Sequence, residues 1–202
     1  MSEQIWALIL AAGASRRMGE PKLLLPAVEG SLLKQAVLRA RAAGNCRIAV
    51  IAAKHGPVKR EHAGDLPVEW LETDRSHLGL GASLAAGLGI LAAKHAPKGL
   101  IVLLADQPDM KSDMIRRVGE VYRENGGLIV QARYVNRPAH PVLFDASLFP
   151  ELLALNEDIG AKSLLRKYKE QVVYVDTPED APRDIDTPEE YRHYLRTAGL
   201  QP

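Results

Sequence analysis

The chain has 202 residues and an apolar share of 47%, enough to bury a core without a metal or disulfide as a staple. One cysteine, Cys46, excludes an internal disulfide framework. An aromatic share of 5% with no basic-aromatic run argues against nucleic acid as a partner, and no apolar run approaches the ~20 residues that span a bilayer. Net charge is only +1, yet residues 1–60 carry ten Lys/Arg against three Asp/Glu, and residues 142–202 carry seven against twelve. That asymmetry suits a phosphorylated ligand on the first third and a metal carboxylate on the last, and it equally suits solvated helix faces. With no basic lead into a cleavable apolar segment, one cytoplasmic domain over residues 1–202 is the expectation.

In chain order, apolar runs bounded by turn residues predict strands at 5–10, 47–52, 68–72, 100–104, 128–132, 141–144 and 172–175. Helical patterns fall at 32–43, 83–93, 112–124, 146–155 and 188–196, several closed by glycine. Such alternation means βαβ units. Runs such as Leu100-Ile101-Val102-Leu103-Leu104 carry no polar alternation, as expected of strands covered on both faces. The expected fold class is therefore α/β, a three-layer α/β/α arrangement around a mostly parallel sheet.

The first strand runs into Leu10-Ala11-Ala12-Gly13-Ala14-Ser15-Arg16-Arg17-Met18-Gly19-Glu20-Pro21-Lys22. A small-residue loop after a strand presents unpaired backbone N–H groups; Gly13 and Gly19 are expected to take positive φ, and Arg16, Arg17 and Lys22 to neutralise a polyphosphate. The spacing is not that of a Walker A loop, because five residues separate Gly13 from Gly19 and the lysine follows two further on. Nor is it the dinucleotide fingerprint, whose nearest approach, Gly79-Leu80-Gly81, ends on Leu84 where a third glycine belongs.

Further on, Asp106 follows the most apolar run and so falls at the carboxyl end of a strand, where open α/β sheets bind ligands. A carboxylate there wants a partner, and its plainest role is to cap the turn at Gln107-Pro108. Leu80-Gly81-Ala82-Ser83-Leu84 precedes a helix and offers backbone donors and the Ser83 hydroxyl, with Ser83 also a natural N-cap. His140 stands between Ala139 and Pro141 after Arg133 and Arg137, and the six histidines offer no zinc spacing. Thr187-Pro188-Glu189-Glu190 has the form of a capping box with Pro at the first helical position. Asp186 stands just before it, and a cap alone does not require both Asp184 and Asp186.

The loop string, together with Leu104-Ala105-Asp106-Gln107-Pro108, Ala139-His140-Pro141-Val142 and Asp184-Ile185-Asp186-Thr187-Pro188-Glu189-Glu190, resembles the MobA-like nucleotidyltransferases along nearly the whole chain. The Ala-Ala-Gly form resembles their molybdenum cofactor cytidylyltransferase branch, since guanylyl-transferring relatives carry a second glycine at Ala12. Gly13, Ser15, Arg17, Met18, Gly19 and Lys22 fall on motif positions, and Arg16 on a variable one. Two departures stand out: Ala139 replaces a usual glycine before His140, and Glu190 replaces an aspartate.

The resemblance implies the nucleotidyltransferase fold and transfer of CMP from CTP to the phosphate of molybdopterin, with release of pyrophosphate. Leu10, Ala11, Ala12, Gly13, Ser15, Arg17, Gly19, Lys22, Gly81 and Ser83 would bind nucleotide. Lys22, Arg17 and Asp106 would be catalytic, Asp106 and Asp186 would hold Mg²⁺, and His140, Arg137 and Asp158 would form an acceptor pocket. A molybdenum hydroxylase receiving the product is the implied partner. A sugar- or polyol-phosphate acceptor and a non-catalytic molybdenum cofactor carrier are the alternatives; the carboxylate pair argues against the carrier.

Overall fold

The structure, a computed structural model, describes residues 5–155 and 160–201. Its main sheet is built from β1 (Ile5–Ala11), β4 (Arg47–Ala53), β5 (Glu69–Thr73), β6 (Gly99–Leu104), β7 (Ile129–Arg133), β8 (Pro138–Asp145) and β9 (Val172–Asp176), while β2 (Pro26–Ala27) and β3 (Gly30–Ser31) pair as a separate small hairpin. The helices are α1 (Leu32–Ala43), α2 (Leu80–His95), α3 (Ser112–Asn125), α4 (Phe149–Leu153), α5 (Lys162–Lys167) and α6 (Pro188–Thr197). Strand order is β5-β4-β1-β6-β8-β7-β9. Only β8 runs against its neighbours, pairing antiparallel with β6 and β7, so the sheet is mostly parallel as expected. Among the described residues no helix is long and apolar enough to cross a membrane.

The layers follow from the alternation of side chains across a strand. From β1, Ile5, Ala7, Ile9 and Ala11 join residues of α1 and α3 on one face. Trp6, Leu8 and Leu10 join α2, α4 and α5 on the other. Both sets are buried, which is why the run reads as continuously apolar. A third cluster, Met18, Ala27, Leu32, Ile185, Tyr194 and Leu195, pins the loop after β1 and the small hairpin to α6. Helix α2 lies so close to the sheet that a Cβ on Gly87 would stand 2.8 Å from a methyl of Leu8.

Most element ends shift from the sequence reading by one or two residues, and some elements differ by more. Helix α2 begins at Leu80, not at 83, because Gly79 at φ 105 makes the entry turn. The helix expected over 146–155 is a 3₁₀ turn, Ala146–Leu148, capped by Asp145, followed by the short α4. Strand β8 starts at 138, three residues early: its register leaves His140 and Pro141 out of both ladders, so the missing N–H of Pro141 costs no strand pairing. The last, α5, is too short for its periodicity to register.

Candidate functional site

Strands β1 and β6 are paired in register to Leu10↔Leu104, so both end at the same edge, and the Ala105 N–H still donates to the Leu10 carbonyl at 3.3 Å. A cleft of about 590 Å³ opens there. One wall is the loop that follows β1: Leu10, Ala12, Gly13, Ser15, Arg16, Arg17 and Lys22 all line it. Asp106, Asp184 and Asp186 line it too. Ala11 is buried in the core on the α1 side of β1, and neither Gly19 nor Gly81 lines the cleft.

The loop turns on Ser15 and Gly19, not on Gly13. Ser15 takes φ 51 and Gly19 φ 78, whereas Gly13 has no positive φ, which corrects the expectation for that glycine. A Cβ at Gly13 would also meet no protein atom within 4 Å. The strained serine is held from both sides: its carbonyl accepts from the Met18 N–H at 3.0 Å and its hydroxyl from the Lys22 N–H at 3.3 Å. The chain then enters the 3₁₀ turn Lys22–Leu24.

Lys22 is buried, at 7% exposure, which is unusual for an ammonium without close partners. Its Nζ donates to Asp106 Oδ2 at 2.6 Å and to Asp186 Oδ1 at 2.7 Å, bringing together residues 164 apart in the chain. Burial pulls the Lys22 pKa down, but Asp106 and Asp186 outweigh it and hold the group above its ordinary 10.5. Burial pushes the Asp106 carboxyl up, against the pull of Lys22. At Asp186 burial is overcome by Lys22 and by Arg17, whose Nη2 lies 2.7 Å from Asp186 Oδ2, and the carboxyl is lowered. Of the two roles open to Asp106, the turn cap is not the one its side chain takes: it is in an ion pair with Lys22. Its second oxygen, Oδ1, is buried with no hydrogen-bond partner.

Three further contacts fix this arrangement. The Ile185 N–H donates to the Asp106 carbonyl at 3.0 Å, tying the end of β6 to the segment before α6. Buried Gln107 donates to Asp184 Oδ1 at 2.8 Å, which accounts for that second aspartate as a structural acceptor. The capping box is present as read, with Thr187 accepting from the Glu190 N–H and Glu190 Oε2 accepting from the N–H groups of Asp186 and Thr187 at 2.8 Å. The cap uses the backbone of Asp186 and leaves its side chain for the two cations.

Ser76, His77, Leu78, Gly79 and Leu80 also line the cleft. Of these the sequence reading singles out only Gly79 and Leu80; Gly79, with its positive φ, is the signal for the rest. Ser83 lines the cleft too, but it is not the N-cap: it lies inside the first turn of α2, buried, donating to the Gly79 carbonyl at 3.2 Å. Asp74 turns outward to Lys54 and His55. Arg137 lines a neighbouring hollow that shares Asp184 and Asp186 with the cleft. His140 lines neither; burial lowers its pKa to about 4, with Arg137 and Lys162 adding to the effect against Asp184, so the ring is neutral at pH 7. Asp158 lies outside the described residues. Among the described residues no group of three or more His, Cys, Asp or Glu could hold a metal ion.

A doubly covered, mostly parallel sheet with a basic small-residue loop facing an aspartate at the end of a central strand is the framework of a nucleotidyltransferase. The chain belongs to the MobA-like NTP transferase family, whose model matches residues 7–172. It is 29% identical over 201 residues to nicotine blue oxidoreductase of Paenarthrobacter nicotinovorans, covering 95% of this chain and 96% of that protein. It is also 29% identical to the purine catabolism protein PucB of Bacillus subtilis (strain 168), covering 94% and 95%. Among solved structures it is similar to Rv0371c of Mycobacterium tuberculosis H37Rv, at 28% identity and a TM-score of 0.85, covering 97% of this chain and all of that one. Rv0371c has also been solved as a complex with manganese.

Proposed function

We propose that the chain transfers CMP from CTP to the phosphate of molybdopterin or the molybdenum cofactor, releasing pyrophosphate. The observation that carries this reading is the meeting of Lys22 and Arg17 with Asp106 and Asp186 inside a cleft walled by the loop after β1. The triphosphate would lie against the backbone of Gly13 to Arg17, with Lys22 and Arg17 neutralising it. The acceptor phosphate forms a new P–O bond at the α-phosphorus as the bond between the α- and β-phosphates breaks. A phosphate monoester is largely ionised at neutral pH, its second pKa being ~6, so the attack calls for no protein base. Positioning and cationic stabilisation are what such chemistry chiefly requires.

The buried, unpartnered Asp106 Oδ1 is a hard oxygen of the kind Mg²⁺ takes, and Mg²⁺ commonly binds through one or two carboxylates with phosphate oxygens and water completing its shell. Asp106, joined by Asp186, would hold it. When bound, it supplies positive charge to the phosphates. Arg137, which lines the hollow beside the cleft, would face the acceptor, and a cytoplasmic molybdenum hydroxylase would receive the product.

The test supplies purified protein with CTP or GTP and, in turn, molybdopterin, sugar phosphates and polyol phosphates, measuring pyrophosphate and the dinucleotide product. Turnover with CTP and molybdopterin supports the reading. Turnover only with a sugar or polyol phosphate replaces the acceptor, and tight binding of molybdopterin without turnover favours a carrier. Because one relative is named an oxidoreductase, parallel reactions contain NADH or NADPH; consumption of either with no pyrophosphate from CTP would overturn transfer.

A further inference from the structure

We infer that the Lys22 ammonium is the resident cation of the Asp106–Asp186 pair, so that the nucleotide-free protein keeps a divalent metal out and an incoming triphosphate must draw Lys22 away before the metal enters. The inference rests on the nucleotidyl-transfer reading of the same site.

Of the four carboxylate oxygens in the pair, three are already in ion pairs. Asp106 Oδ2 and Asp186 Oδ1 share Lys22 Nζ at 2.6 and 2.7 Å, and Asp186 Oδ2 faces Arg17 at 2.7 Å. Only Asp106 Oδ1 is left, buried and unpartnered. The adjacent carboxylate, Asp184, is engaged by Gln107. A metal held by Asp106 and Asp186 would compete for the oxygens that Lys22 now holds, and adding it beside Lys22 and Arg17 would set four positive charges against two negative ones.

The position of Lys22 decides how it can leave. Its main chain is fixed by the Ser15 hydroxyl and the following 3₁₀ turn, so only the side chain can swing. At 7% exposure the ammonium has little access to water as a substitute partner. It does line a cleft shared with the loop from Gly13 to Arg17, and an anion lodged there would give Nζ a new partner and free both carboxylates. Arg17, with 69% of its side chain exposed, can follow to the same anion without cost of burial. Nucleotide and metal binding are then coupled, and by linkage each strengthens the other by the same factor.

Binding of Mn²⁺ to nucleotide-free protein, followed by electron paramagnetic resonance and calorimetry, tests this in the wild type, Lys22→Met, Lys22→Gln and the double variant Lys22→Met/Asp106→Asn. The expectation is weak binding by the wild type, at least tenfold tighter binding by both single variants, and loss of that gain in the double variant. Equal Mn²⁺ affinity in the wild type and both Lys22 variants overturns the inference. Should the variants not fold, the ¹⁵N signal of the Lys22 ammonium in the wild type gives the same answer: Mg²⁺ alone must leave it unchanged while Mg²⁺ with CTP shifts it, and a shift with Mg²⁺ alone overturns the proposal. If the wild type binds Mn²⁺ through Asp106 once CTP is present but the Lys22 variants gain nothing without it, the inference falls and the transfer reading stands. If no Asp106-dependent Mn²⁺ binding is found in any state, both fall.

Discussion

Asp106 and Asp186 share one ammonium but stand in different surroundings, and the difference sets what their substitution should do. Asp106 stands two residues beyond β6, with one oxygen buried and unpartnered; Asp186 stands before α6, lends only its backbone N–H to the cap, and faces Arg17 as well as Lys22. Asp106→Asn and Asp186→Asn should each slow transfer greatly and raise the Mg²⁺ requirement, with losses that do not add in the double variant. Because the side chain of Asp186 takes no part in the capping box, a loss in Asp186→Asn would not come from a weakened helix. A Mg²⁺ titration of Asp186→Asn that overlays the wild-type curve would refute the shared metal site. Lys22→Ala removes a positioned cation and should lower kcat ~10²-fold or more, while circular dichroism reports a retained fold. An effect within threefold would remove Lys22 from the chemistry.

Between elements, two contacts measure how tightly the layers are held. Helix α2 approaches β1 over Gly87, where an added methyl would stand 2.8 and 3.1 Å from the methyls of fully buried Leu8 and 3.4 Å from Cβ of Ile51. Gly87→Ala should therefore lose about 1–3 kcal/mol by overpacking, offset by roughly 1 kcal/mol of helix propensity, and a raised melting temperature would contradict that packing. On the other face, Tyr122 of α3 sends its hydroxyl toward Asp145 Oδ2 at 2.6 Å, beside the Lys98 carbonyl at 2.7 Å. Burial alone would raise the Asp145 carboxyl, but hydrogen bonds from Ser147 and Tyr122 hold it below its ordinary 3.8. A lowered carboxyl contributes stability above the unfolded value and loses it as pH falls through the folded one. Tyr122→Phe should thus destabilise by about 1–2 kcal/mol at pH 7, and the gap from wild type in denaturant titrations should narrow below about pH 4. The main-sheet strands and the long helices were legible because each buries a run long enough to show its period. The small hairpin, α5 and the antiparallel insertion of β8 were not, since two to six residues carry no period and strand direction is set by partners distant in the chain.

Across the whole molecule, the cleft gathers residues from Leu10 to Asp186, and its legibility divides along that distance. The loop after β1, Asp106 and Asp186 were readable because each sits at a strand end or helix start with a local signature. The joining of Asp106 and Asp186 through Lys22, the seating of Asp184 on Gln107 and the wall from Ser76 to Leu80 depend on contacts between distant segments, which spacing does not encode. A ligand spanning those segments should stabilise the fold as a unit: with Mg²⁺, a nucleotide at a hundred times its Kd adds about 2.7 kcal/mol, enough to raise the melting temperature by several degrees in a chain of this size. Ala12 lines the cleft at the end of β1, and its methyl is the feature expected to favour cytosine over guanine. CTP should then raise the melting temperature more than GTP at equal concentration, and kcat/KM should rank the two the same way. One methyl group seldom discriminates beyond ~10 to 200-fold, so Ala12→Gly should bring the two shifts closer without reversing them. Equal shifts with CTP and GTP in the wild type would remove Ala12 as the selector and, with it, the residue basis for a cytidylyl donor.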